Sequence, residues 1–202
     1  LTADFDAGVL YWCDREGMQV LSCNLDGSDL RPLVMTAVGD GAAHIDRNHC
    51  VGIAVDLHRR LLYWTQKGAP NAGDGRIFRA PLDPPPGTSA QHRDDIELLF
   101  KDLPEPIDLH LLGDGATLVW TDRGDEPEGN TLNRAMVVPT IGAPEILSTG
   151  YREAIGLAAV SDAEFYVGDL AGSIRHVNLD SGVDAELVHL GHGLTGIALA
   201  EL

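Results

Sequence analysis

Tyr11-Trp12-Cys13-Asp14, Tyr63-Trp64-Thr65-Gln66 and Val119-Trp120-Thr121-Asp122 are three versions of one phrase, and an eroded fourth stands at Tyr166-Val167-Gly168-Asp169. The tryptophans are 52 residues apart (12 to 64) and 56 apart (64 to 120), and Val167 follows 47 after Trp120 (120 to 167). A period of roughly 50 residues, made of short apolar runs and Gly/Asp turns, is the length of a propeller blade. The expected fold class is therefore all-β, a β-propeller of four-stranded antiparallel blades.

Working outward from the phrase, each repeat opens with an apolar run: Val51-Gly52-Ile53-Ala54-Val55, Ile107-Asp108-Leu109-His110-Leu111, Ile155-Gly156-Leu157-Ala158-Ala159 and Thr195-Gly196-Ile197-Ala198-Leu199. Such runs suit an inner strand buried on both faces, and glycine suits a crowded axis. The phrase itself is the second strand. Third strands are expected at 18–24, 76–80, 132–135 and 173–178, alternating in polarity as strands with one wetter face do. Asn24-Leu25-Asp26-Gly27-Ser28 and Asn178-Leu179-Asp180-Ser181-Gly182 supply tight turns into the fourth strands.

Gly52-Ile53-Ala54-Val55-Asp56 followed by Leu62-Tyr63-Trp64-Thr65 and a third strand ending near Leu82-Asp83 resembles the YWTD-repeat β-propellers, the class B repeats of low-density-lipoprotein receptors. The resemblance runs along nearly the whole chain and implies a six-bladed class. Of its six blades these residues supply four, at about 1–36, 51–101, 106–149 and 154–190, plus a closing inner strand at 194–200, in a single or partial propeller domain over 1–202. Residues 1–5 and 194–200 both read as inner strands and would compete for one place in a closed four-bladed ring. A truncated, cleaved or split propeller is therefore expected, completed by a protein partner or a second copy of the chain. The resemblance also extends to bacterial and fungal YWTD-type proteins, some labelled acyl-CoA dehydrogenases. No Gly-x-Gly-x-x-Gly loop joins a strand to a helix here, so no nicotinamide or flavin site is expected.

The chain of 202 residues carries 31 acidic and 14 basic side chains, a formal charge of −17. That field repels phosphate backbones and anionic lipid, so nucleic acid is not an expected partner. No run of about 18 apolar residues exists, and no membrane insertion is expected. The first residues lack the basic-then-apolar profile of a signal peptide. Cys13, Cys23 and Cys50 cannot all pair, which points to reduced thiols and a cytoplasmic location.

The segments 66–75 and 123–130, between second and third strands, and 37–50, between blades, are long, and long loops on a rigid scaffold are where binding usually lies. In antiparallel blades these segments emerge on one face. Around the channel mouth there, His49, Glu105, Asp108, Arg152, Glu153 and His192 are the expected ligand-binding residues. Asp108 stands where other inner strands have Gly52, Gly156 and Gly196. Its carboxylate is expected to project toward the axis, with its pKa raised by burial and nearby acids. Asp108, Glu105 and His49 are the candidate catalytic groups, and Asp108 with Glu105 the candidate ligands of a divalent cation. The competing reading has Asp108 and His49 merely bonding backbone groups.

Tyr11, Trp12, Asp14, Tyr63, Trp64, Trp120, Asp122, Tyr166 and Asp169 read as architecture: aromatics between sheets, and acids that accept backbone hydrogen bonds and link adjacent blades. Gln66 replaces the acid in the second blade and Cys13 the threonine in the first. Asp94-Asp95 reads as a solvated turn. The functional expectation is a non-enzymatic scaffold that takes a protein partner or small ligand on its acidic, loop-rich face. The alternatives are a metal-dependent, lactonase-like hydrolase with a channel-mouth carboxylate site, and an inactive fragment.

Overall fold

Each copy of the phrase lies on the second strand of a four-stranded antiparallel sheet. The computed structural model describes residues 1–39, 41–113 and 115–200; Asp40, Asp114, Glu201 and Leu202 lie outside them. The strands divide between two units, Leu1–Leu103 and Pro104–Leu202. In the first unit, one sheet orders β1 (Thr2–Asp4), β2 (Val9–Asp14), β3 (Gln19–Asn24) and β4 (Arg31–Met35). The other orders β5 (Cys50–Asp56), β6 (Leu61–Gln66), β7 (Gly75–Pro81) and β8 (Glu97–Leu103). The second unit repeats the pattern with β9 (Pro106–Leu112), β10 (Thr117–Asp122), β11 (Thr131–Met136) and β12 (Glu145–Thr149). Its last sheet holds β13 (Ala154–Ala159), β14 (Glu164–Asp169), β15 (Ser173–Asn178) and β16 (Val183–His189). Among the described residues the only helical pieces are two 3-10 turns, Ala42–His44 and Asp46–Asn48. The fold is all-β, built as β-propeller blades.

Register makes the blades equivalent: Trp64 pairs with Ile53, Trp120 with Leu109 and Val167 with Leu157. In these three blades the pairing of first and second strands slips at the same place, between Cys50 and Ile53, Trp120 and Asp122, and Ala154 and Gly156. A bulge leaves a backbone N–H without its ladder partner, and a buried orphan is costly. The phrase threonine repairs it: Gly52 N donates to Thr65 Oγ1 (2.8 Å) and Asp108 N to Thr121 Oγ1 (3.1 Å). Thr121 then donates its own proton to Ile155 O in the next blade (2.8 Å). Cys13, standing in for threonine, keeps the inter-blade half of this device, its thiol donating to Gly52 O (3.3 Å).

The core of the first unit gathers Tyr11, Val20 and Val34 with Cys50, Ile53, Leu62 and Trp64 from the neighbouring sheet. Trp64 is 1% exposed and stacks on Phe78 at 5.4 Å. The second unit packs Val119 and Leu132 against Leu157, Phe165 and Val167. Each such large apolar side chain contributes on the order of 1.5–3 kcal/mol by leaving water.

A strap closes the first unit. The Pro-rich segment between β7 and β8 crosses to β4, where Met35 N donates to Ala90 O (2.8 Å). Arg93 fastens it with bonds to Leu33 O (3.2 Å) and Pro81 O (2.7 Å) and a two-pronged grip on Asp95 (2.8 and 2.6 Å). The expectation of a solvated turn at Asp94-Asp95 is thereby corrected at Asp95, the counter-ion of a fully buried guanidinium, while Asp94 is exposed.

Residues 194–200, expected as a closing inner strand, form no ladder with a described strand. Leu194 N donates to Asp169 O (3.1 Å), and the following backbone lies so close to β13 that a Cβ on Gly156 would stand 2.8 Å from Ile197 N. The segment thus rests where the next blade's inner strand belongs. Inner strands draw their ladder from the strand outside them, and the described residues hold none there.

Candidate functional site

Asp108 sits on β9 at the bulge, where glycine would leave two backbone donors facing the inner edge. Its Oδ1 accepts from Leu109 N and its Oδ2 from Leu157 N of the next blade, both at 3.0 Å. Burial raises its pKa, and the two N–H donors pull it back. The expected help from nearby acids is absent among the groups acting on it, so that part of the expectation is corrected. The ionisable side chain it does feel is His110, whose own pKa is lowered by burial and lifted by Asp108. The two fixed donors take one lone-pair site on each oxygen and hold the carboxylate in place between neighbouring blades.

Glu105 and Glu153 are brought together by Arg123, a residue outside the expected site. Arg123 Nε donates to Glu105 Oε2 (2.8 Å), and its Nη1 lies 3.7 Å from Glu153 Oε2. The one available signal is its place directly after the phrase acid Asp122. Glu153 is anchored from behind by its N–H on Asn130 Oδ1 (2.7 Å). Arg152 points elsewhere, its Nη2 donating to Ser173 Oγ (3.2 Å). That hydroxyl also meets Glu186 Oε2 at 2.6 Å and His189 Nδ1 at 3.2 Å. Because Ser173 has one proton and the carboxylate takes it, His189 must carry a hydrogen on Nδ1. His192 contributes its backbone, which packs on Gly172 so closely that a Cβ there would stand 2.4 Å from His192 O. In the first unit, His49 is buried, with Nδ1 3.5 Å from Asp46 Oδ1. Among the described residues no three His, Cys, Asp or Glu side chains gather closely enough to hold a metal ion. Asp108 accepts from two backbone donors and Glu105 from Arg123, and neither belongs to such a group.

Asp122 and Asp169 each accept from the segment that leads into their blade from the one before it in sequence, at Glu105 N and Arg152 N, and the phrase acids also hold the turn after their own second strand. Asp169 Oδ2 accepts from Arg152 N (3.1 Å) and its Oδ1 from Ser173 N (2.9 Å). Asp14 Oδ1 accepts from Gly17 N (2.9 Å). Each therefore pins the turn after the second strand. Gln66 reverses the direction, donating to Arg47 O (3.0 Å). Asp122 is the odd member: Oδ1 takes both Glu105 N (2.9 Å) and Gly124 N (3.0 Å), while Oδ2 is buried without a hydrogen-bond partner among the described residues. Burial pushes its pKa up to about 7, with Glu105 and Glu128 adding to the rise.

No family model matches the chain. It is 42% identical over 206 residues to a low-density lipoprotein receptor-related protein 1 of Pyricularia oryzae, covering 96% of this chain and 65% of that protein. A 3-hydroxyacyl-CoA dehydrogenase-like protein of Cochliobolus heterostrophus is 42% identical over 207 residues, with 95% and 43% covered. The chain thus spans less than two thirds of either relative. Among solved structures, the nidogen/laminin complex superposes with a TM-score of 0.74 at 20% identity, over 97% of this chain and 65% of that one. A gluconolactonase of Xanthomonas campestris reaches 0.66 at 13% identity, with 93% and 60% covered.

Proposed function

The chain belongs to the YWTD-type β-propellers, and from that premise we propose that it serves as a binding and assembly scaffold rather than as an enzyme. The observation that carries this reading is the use of Asp108 as a structural acceptor, its two carboxylate oxygens each taking a backbone hydrogen bond, from Leu109 N and Leu157 N. A lactonase-like reaction needs a carboxylate free to hold a cation or move a proton. The long loops, by contrast, are ordered for contact. Asp74 Oδ1 accepts from Ala69 N (3.1 Å) in one, and Gly129 N donates to Asp125 O (2.9 Å) in the other. The neighbour solved as a nidogen/laminin complex makes a protein the favoured occupant.

Calorimetric titration of Ca2+ and Mn2+ into the chain and into Asp108→Asn tests the choice. Heats that the substitution leaves unchanged are expected; saturable binding that disappears in Asp108→Asn would replace the scaffold by the metal-dependent hydrolase. The assembly half concerns the unladdered segment 194–200, which we assign to pairing with strands from a protein partner or a second copy. Light scattering should find the isolated chain associating, since an open strand edge recruits others. A monodisperse monomer that melts in one cooperative step would remove that half.

A further inference from the structure

With 31 acids to 14 bases, a carboxylate is easily found, and Arg31, Arg60, Arg134 and Arg175 each hold one within 4.0 Å. Arg47 and Arg76 form no such ion pair with a described residue, although both lie in the first unit beside one of its long loops. Arg76 is on β7, opposite Gln66 in register, and both side chains aim at a single acceptor, the carbonyl of Arg47 in the turn Asp46–Asn48. The guanidinium of Arg76 lies 5.1 Å above the Phe78 ring, which in turn stacks on the buried Trp64. Its Nε is buried, without a hydrogen-bond partner among the described residues. Stacking and the shared carbonyl therefore fix the plane of this group. Arg47 is exposed beside it, and after burial it is the charge of Arg47 that lowers the pKa of Arg76, with Asp74 opposing more weakly. Asp46, next in the chain, is turned to His49 at 3.5 Å.

Two neighbouring like charges without an ion pair among the described residues raise the energy of the ligand-free protein, and an anion bound between them lowers it. A dianion neutralises both, whereas a single carboxylate neutralises one. The net charge of −17 does not decide the matter, because carboxylates beyond about 8 Å are screened at physiological salt. We propose that Arg47 and Arg76 form a seat for a phosphate group, free or carried as a phosphomonoester. The proposal rests on the binding reading above and gives the first unit a ligand chemistry.

Melting of the full chain is followed at constant ionic strength as chloride is exchanged for inorganic phosphate, glycerol phosphate or acetate, for the wild type, Arg47→Gln and Arg76→Met. A saturable rise with phosphate is expected, weakened about tenfold or more by either substitution. Without phosphate, Arg47→Gln should melt at or above the wild type, because a repulsion is gone. At saturating phosphate it should melt below. Glycerol phosphate as effective as inorganic phosphate assigns an organic ligand, and inorganic phosphate alone assigns the free ion. Acetate matching phosphate, or the same phosphate response in the wild type and Arg47→Gln, overturns the seat. Arg47→Gln keeps the backbone carbonyl that Gln66 and Arg76 use, so it carries the test even if Arg76→Met does not fold. Light scattering reads assembly separately, so failure of the phosphate seat leaves the scaffold reading standing.

Discussion

Asp122→Asn is expected to stabilise the protein at pH 8 by several kcal/mol while changing it little near pH 4. The carboxyl group has a pKa of about 7 when folded against 3.8 in the ordinary case. Between those values the folded chain keeps a proton that the unfolded chain has already released, so stability falls as pH rises from about 4 to about 7. At about 1.4 kcal/mol per unit the loss amounts to about 4 kcal/mol, and it stays in full above that window. Asparagine keeps the Oδ1 that Glu105 N and Gly124 N use, and puts an NH2 group where Oδ2 now lies without a partner. Asp169→Asn, at the matching position of the next blade, should do the opposite. Both of its oxygens accept from backbone donors, Arg152 N and Ser173 N, so an NH2 group must face an N–H and costs about 1–3 kcal/mol. Urea unfolding of both variants at pH 5 and pH 8 checks the pair. A benefit of Asp122→Asn that does not grow with pH would show that its carboxyl is ionised in the fold.

The repeat was legible because periodicity is a property of one dimension. The spacing of Trp12, Trp64 and Trp120 puts each on a second strand, and the third strand expected at 173–178 is the observed β15. Glycine, aspartate and asparagine marked the turns for the same local reason. What stayed hidden was set by register. A one-residue slip between inner and second strands decides that Thr121 must cap Asp108 N, and no composition signal announces a slip. Asp108 stood out correctly as the polar residue in a glycine place, but its occupation came from Leu157, 49 residues later. Within the second unit the expected binding residues part company for a similar reason. Long side chains settle on whatever lies within reach, and Arg123 gathers Glu105 and Glu153 while Arg152 turns to Ser173.

Arg93 is the extreme case of a residue whose role is invisible in its neighbourhood, and its removal should be the most damaging single change in the first unit. Its side chain is 0% exposed, and it answers Asp95, Leu33 O and Pro81 O at once. Arg93→Met has nearly the volume but none of the donors, so it strands a carboxylate and two carbonyls, at a cost of about 3–5 kcal/mol. The bond to Arg93 is also what holds the Asp95 carboxyl below the ordinary carboxylate range. A group with a depressed folded pKa contributes stability above its unfolded pKa and loses it as pH falls through the folded one. The wild type therefore sheds this contribution below about pH 4, the ordinary carboxylate range, and the deficit of Arg93→Met should shrink there. Adding Asp95→Leu should recover part of the loss, because a missing pair costs less than a broken one. The rest measures the carbonyls and the strap, and since Ala90 O meets Met35 N on β4, the segment before β8 should become open to proteolysis in Arg93→Met. Equal unfolding free energies for Arg93→Met and the wild type, or a double variant no better than the single one, would mean that the strap is held by its backbone and not by the guanidinium.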